Sequence, residues 1–321
     1  MNQRSNGRRK ALASLAAIGG TTLLSSTAYA RERRPEGSPK KDKTFTFCLN
    51  TSTIMGQKQG IVKDIQTAAK AGYDGVEIWI NALQQYLEDG GNLRDLKMMS
   101  DDLGIKIENA IGFAPWVVDD VTKRKAGLEQ AKKEMDMLAG VGCYRLAAPP
   151  AGATDIGGLD LDAVAERFCD LIEVGKDSGV IPQLEVWGFS KNLSQLKEVL
   201  YVAAGCGHKD VRILPDIYHL YRGGSGFDSL QLISGKAIEV FHMNDYPSSI
   251  AAANIQDKDR IYPGEGNAPT TQVIKTLQEM GGPKVLSLEL FNRGYWEQDA
   301  LKVAKTGLKR MKDVVKTATK A

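Results

Sequence analysis

The chain has 321 residues, of which 42% are hydrophobic and 25% charged, with a formal net charge of +3. Residues 1–30 carry four basic groups and no acid, and residues 31–43 carry six basic and three acidic groups, so the remainder stands near −4. That balance argues against a nucleic-acid-binding surface, and the remaining length suits one α/β barrel of about 250 residues with its loops.

Residues 1–30 read as a secretory signal: Arg8, Arg9 and Lys10 precede an apolar stretch from Ala11 to Leu24, and Ala28, Tyr29 and Ala30 form a small-x-small cleavage site. The paired arginines, with an apolar core rich in Ala, Gly and Ser rather than Leu, resemble a twin-arginine signal; an ordinary Sec signal is the alternative. The expected destination is periplasmic or otherwise extracytoplasmic. The apolar stretch is short for a bilayer and no later segment supplies a span, so no stable membrane span is expected. Residues 31–43 (RERRPEGSPKKDK) lack an apolar pattern and read as a flexible basic leader.

Residues 44–321 predict a single-domain α/β fold, a (β/α)8 TIM barrel. Candidate strands are TFTFCLN (44–50), GVEIW (75–79), IKIENAI (105–111) and CYRLAAP (143–149), followed by IPQLEVWG, VRILPDIYH, AIEVFHMND and KVLSLELFN. Between them Leu161, Val164, Phe168 and Leu171 recur at helical spacing, as do Leu301, Ala304, Leu308 and Met311. Gly72 and Gly140 mark helix ends, while Gly188, Ser194 and the stretch Gly223 to Gly226 punctuate loops, the last expected to be a mobile lid. Cys48, Cys143, Cys169 and Cys206 form no CxxC pair, and free buried thiols are the expectation.

The last four apolar runs each end in a potential metal ligand: Glu185, Asp216, His242 and Glu289. The carboxyl ends of parallel barrel strands converge on one mouth, so three carboxylates and one imidazole meet there. This donor set is harder than the Cys- or His-rich sites of structural zinc. It favours Mn2+, Mg2+ or Co2+, with Zn2+ or Fe2+ compatible. A metal with open positions would take two adjacent substrate oxygens and acidify the neighbouring C–H. Trp79, Trp187, Tyr218, Phe291 and Trp296 stand next to these positions and could stack on a sugar ring.

LEVWG with Glu185, DIYH with Asp216 and His219, FHMND with His242, RIYPGEG from Arg260 and LSLELFN with Glu289 resemble the xylose-isomerase-like sugar isomerase and epimerase family. The resemblance implies a TIM barrel, one divalent metal held by Glu185, Asp216, His242 and Glu289, and a small-molecule carbohydrate substrate. It further implies that Glu185 and Glu289 are proton carriers on opposite faces of an enediolate-type intermediate, with His219 hydrogen-bonded to a substrate oxygen. Glu77, Trp187, Lys191 and Arg260 are weaker candidates for substrate contact. The ligand separations are 31, 26 and 47 residues, and the long last one holds Asp245, Asp259, Arg260 and a PGEG turn, resembling the loop of enzymes acting on inositol-type substrates.

Departures from the family narrow the choice. The chain has three histidines, too few for a three-zinc apurinic endonuclease site, and the further strand-end ligands of a two-metal xylose isomerase are missing. Six residues after Glu185, where ketohexose 3-epimerases have a second glutamate, stands Lys191. The expected activity is isomerisation or epimerisation of a sugar, keto-sugar or inositol derivative. One alternative is a lyase or dehydratase on the same scaffold, with Lys191, His219 or Glu265 protonating the leaving group. Another is an exported, non-catalytic sugar-binding protein, which would show two doubly wound lobes.

Overall fold

The structure is a computed structural model and describes residues 44–320; the predicted signal and the whole of the predicted leader lie outside the described residues. Eight strands alternate with helices: β1 (Phe45–Asn50), β2 (Gly75–Trp79), β3 (Lys106–Ile111), β4 (Arg145–Ala148), β5 (Ile181–Glu185), β6 (Arg212–Leu214), β7 (Val240–Met243) and β8 (Lys284–Leu288). The helices are α1 (Ile61–Ala71), α2 (Ile80–Glu88), α3 (Leu93–Asp102), α4 (Val121–Gly140), α5 (Leu161–Val174), α6 (Leu196–Cys206), α7 (Ile217–Arg222), α8 (Thr270–Glu279), α9 (Arg293–Trp296) and α10 (Ala300–Thr319). All eight predicted strands are present.

The strands pair in parallel in the order β6-β5-β4-β3-β2-β1-β8-β7. The seam between β6 and β7 is bridged by Ile213 N–H to Ala237 O (2.8 Å), by His242 N–H to Pro215 O (3.0 Å) and by a parallel bridge between Asp216 and His242. The barrel therefore closes at the level of two predicted ligands.

Strand periodicity sorts the side chains. One parity, including Leu184, Ile213, Phe241, Met243, Leu286 and Leu288, joins the core between barrel and helices. The other parity points into the barrel, where Cys48, Ile111, Ala147, Leu214, Val240 and Val285 form a separate inner cluster. Both faces are thus buried, which explains why the runs read as almost continuously apolar. The helices cover the outer face as their spacing predicts: Val164, Phe168 and Leu171 are buried from α5, and Ala304, Leu308 and Met311 from α10. Gly72 caps α1 at φ 94°, a left-handed conformation that glycine adopts without cost.

Two expectations are corrected. Cys169 and Cys206 are not free thiols but form a disulfide between α5 and α6, with Cα atoms 5.5 Å apart; only Cys48 and Cys143 remain as buried free thiols. The sequence gap of 37 residues hides a close helix approach, so tight that a Cβ on Gly205 would lie 2.9 Å from that of Ala165. Gly223, expected in a lid, instead ends α7 against the loop after β5, where a Cβ would collide with Ser194 O at 1.9 Å. The described residues form one eight-stranded barrel rather than the two lobes of a solute-binding protein. None of their helices is long and apolar enough to cross a membrane.

Candidate metal centre

Donor atoms of Asp216, His242 and Glu289 lie within 4.8 Å of one another, all on buried side chains at the carboxyl ends of β6, β7 and β8. Each continues the inward parity of its strand, after Leu214, Val240 and Ser287 respectively. Asp216 also caps α7: Oδ1 accepts the His219 backbone N–H at 3.0 Å. His242 Nδ1 lies 3.2 Å from Glu289 Oε2 and 3.6 Å from Asp216 Oδ2, without hydrogen-bond geometry to either. Glu185 stands beside the compact triad at the end of β5, buried, with Oε2 also unpartnered. Two buried polar atoms without partners, within a set of carboxylates and one imidazole, fit a divalent cation.

The electrostatics agree. Burial, reinforced by the charges of Glu289 and Asp216 and opposed by His242, pushes the Glu185 carboxyl up to about 8. Burial opposes charging of His242, but the carboxylates of Glu289 and Glu77 outweigh it and hold its pKa well above that of a free imidazole. Positive charge is therefore favoured here.

Beneath the triad lies a polar layer inside the barrel. Glu77 Oε1 is 3.0 Å from His242 Nε2 and accepts from Asn109 Nδ2 at 2.6 Å, while Oε2 accepts from Asn50 Nδ2 (2.8 Å) and Ser287 Oγ (2.5 Å). Gln183 extends the chain to Asn109 at 3.0 Å. Glu77 thus sits under His242, on the ring nitrogen opposite the triad, rather than in the open mouth. Burial would raise its pKa, yet the His242 charge and these hydrogen bonds hold it below the usual carboxylate range.

The long loop after β7 returns Arg260 over the triad. Asp245 fixes it, accepting backbone N–H bonds from Tyr246 (2.8 Å), Gly264 (2.9 Å), Gly266 (3.0 Å) and Ala268 (2.8 Å). Arg260 Nη1 then donates to Asp216 Oδ2 (3.0 Å) and Glu289 Oε2 (2.7 Å), with its guanidinium over the Tyr218 ring at 4.2 Å. His219 accepts the Gly188 N–H at Nδ1 (3.2 Å), and a Cβ on Gly188 would meet His219 O at 2.3 Å, so only glycine permits this approach. Burial, with Arg260 assisting against Asp216, lowers the His219 pKa to about 4. The His219 Nε2 faces the Arg260 Nη2 donor at 3.3 Å, so both ring nitrogens meet donors and the proton position follows which of the two contacts the ring accepts.

Above the floor is a cavity of about 190 Å³ lined by Trp79, Ile111, Phe113, Glu185, Trp187, Phe189, His219, Asp257, Arg260, Glu289 and Phe291. Of the predicted residues, Trp79, Glu185, Trp187, His219, Arg260, Glu289 and Phe291 line it, whereas Glu77, Asp216 and His242 do not. Lys191 is exposed and does not line it, and Trp296 packs against Gly56 with Nε1 donating to Ser52 O at 3.0 Å. Glu265 pairs with Arg310 on α10 at 2.7 Å. Sequence reading missed Asn50, Asn109, Gln183, Phe113, Phe189, Asp257 and Asn244, the last donating from Nδ2 to both Asp216 oxygens at 3.1 and 3.0 Å. All but Asp257 carried a signal: a polar residue of inward parity within an apolar run, or an aromatic two residues beyond an inward residue, as Phe113 follows Ile111 and Phe189 follows Trp187.

Residues 65–314 match the family model of the xylose isomerase-like TIM barrel. The chain is 26% identical over 275 residues to the inosose isomerase of Bacillus velezensis, covering 84% of this chain and 96% of that protein. It is 24% identical over 256 residues to the 3-dehydroshikimate dehydratase of Pseudomonas putida, covering 77% of this chain and 38% of that longer protein. Among solved structures, the IOLI protein with a bound zinc atom shares the fold at a TM-score of 0.78 and 23% identity, covering 85% of this chain and 99% of that one.

Proposed function

The chain belongs to the xylose isomerase-like TIM barrel family, and from that membership we propose that it is a divalent-metal-dependent isomerase or epimerase of a keto-sugar or inositol derivative. The observation that carries this reading is the buried triad of Asp216, His242 and Glu289 beside Glu185 with its unpartnered Oε2, of which Glu185 and Glu289 line one cavity. A bound divalent cation supplies polarisation of a substrate carbonyl, which acidifies the adjacent C–H. Mn2+, Mg2+ or Co2+ suits the three carboxylates best.

The remaining work falls to side chains. Glu185 and Glu289 move the proton: Glu185 has an oxygen with no competing partner, and Glu289 is held by Asn50 Nδ2 at 3.0 Å and by Arg260. His219 lines the cavity beside Arg260, its Nε2 3.3 Å from Nη2, and Arg260 presents a fixed cation against developing negative charge. The similarity to an inosose isomerase supports a cyclic polyol ketone as one member of the substrate class.

Similarity to a dehydratase favours a second outcome, in which removal of the α-proton is followed by loss of a β-oxygen. Of the three acids that could protonate that oxygen, Lys191 and Glu265 lie outside the cavity and His219 lies in it. Incubating metal-loaded and chelator-stripped protein with a panel of keto-sugars and inososes, with products read by mass spectrometry, tests both. A metal-dependent product of unchanged mass supports isomerisation, loss of one water supports the lyase, and no metal-dependent product overturns the reading.

Export completes the proposal. Its support is the signal pattern of residues 1–30 together with the Cys169–Cys206 disulfide, a bond that persists chiefly in oxidising compartments.

A further inference from the structure

Contacts around the cavity mouth close into a ring. Phe291 lies 5.9 Å from Trp79, Trp79 5.4 Å from Phe113, Phe113 6.0 Å from Trp187, Trp187 5.1 Å from Phe189, and Phe189 5.4 Å from His219. Arg260 completes it, 3.3 Å from His219 and 5.0 Å from the Phe291 ring. Five of these seven members are aromatic hydrocarbons or indoles. Of the two indoles, Trp79 already has its polar group engaged, with Nε1 donating to Asn50 Oδ1 at 2.9 Å. The outer part of the collar shows only carbon, its outermost members being Phe113 and Phe189, 41% and 39% exposed.

An unsubstituted sugar or cyclitol carries hydroxyls around its whole circumference. The metal donors, His219, Arg260 and Asp257 can satisfy those on one side, but the collar would strip water from the others and offer nothing in return. An apolar ring stacked against offset aromatic faces loses no such partner. We infer that the substrate is a keto-glycoside or substituted keto-cyclitol whose polar ring reaches the metal floor and whose apolar, aromatic substituent lies between Phe113 and Phe189. This rests on the metal-dependent reading above and names the substrate class for it.

The test compares methyl and phenyl keto-glucosides that differ only in the substituent, titrated into the metal-loaded protein and followed by indole fluorescence and calorimetry. The phenyl compound is expected to bind at least about tenfold more tightly, as an added buried aromatic ring allows. The double variant Phe113→Leu/Phe189→Leu should reduce that ratio by about fivefold or more, with metal content and circular dichroism showing that it is folded and loaded. Methyl and phenyl compounds of equal affinity, or a preference undiminished in the variant, overturn the collar assignment alone. If neither ketone binds a protein shown to hold its metal, the keto-glycoside assignment falls, while the isomerase reading stands or falls on the panel of keto-sugars and inososes.

Discussion

Glu77 shows how a residue outside the cavity can govern the one inside it. Its carboxylate holds His242 Nε2 at 3.0 Å, leaving Nδ1 directed at Asp216 and Glu289. Partners of this kind fix ring orientation and raise ligand basicity, and their loss commonly costs about 10–100-fold in metal affinity. Glu77→Gln should therefore weaken divalent-metal binding by about that factor in a chelator competition. Unchanged affinity would mean that the contact is packing only. Glu185 and Glu289 differ from Glu77 in facing the cavity, and their Gln variants should lose turnover by about 100-fold or more while retaining part of their metal. A variant that exchanges substrate hydrogen with solvent but yields no product would mark the missing carboxylate as the one that delivers the proton.

At the scale of elements, α1 carries an unusual charge. Asp64 is 7% exposed in its first turns, and burial, opposed only by a 3.3 Å hydrogen bond from Gln59, raises its carboxyl to about 7. A raised carboxyl pKa means the fold holds a proton the unfolded chain has released. The associated stability is complete below the unfolded value near 4 and is lost as pH rises through about 7. Asp64→Asn has no proton to lose, so its melting temperature should match the parent near pH 3 and exceed it by a margin that grows to about pH 7 and then levels, roughly 2–4 °C for each kcal/mol recovered. Equal melting temperatures across that range would place Asp64 in contact with water.

The elements were the most legible part of the sequence, because the strands are largely buried on both faces and run mostly apolar, the last four up to a functional end residue. Glu185, Asp216, His242 and Glu289 stood out against those runs. Asn109 and Gln183 stood in them equally, but a single polar residue inside a strand does not reveal which partner meets it across the barrel. The disulfide and the path of the loop that Asp245 pins were hidden for a related reason: both depend on contacts between segments far apart in the chain. Phe113 and Phe189 lie beyond the strand ends, where continuing the inward parity of Ile111 and Trp187 would have found them.

Two features act on the molecule as a whole. The Cys169–Cys206 bond closes a loop of 37 residues, for which chain entropy alone gives about 4 kcal/mol. Replacing both cysteines by serine should lower the melting temperature by roughly 5–15 °C, and reductant should do so in the parent but not in the variant. Replacing Arg8 and Arg9 by lysine should leave uncleaved precursor in the cytoplasm, whereas unimpaired export would point to Sec. The central claim is that the buried donors at the ends of β5 to β8 make a substrate C–H labile. Hydrogen exchange in deuterated water, followed by NMR on a substrate ketone identified from the panel, tests it most directly. The account predicts deuterium at the carbon beside the carbonyl with metal-loaded protein, none after chelation, recovery on adding metal back, and loss in the Glu185→Gln/Glu289→Gln double variant. Exchange that persists in the stripped protein or in that double variant would contradict it.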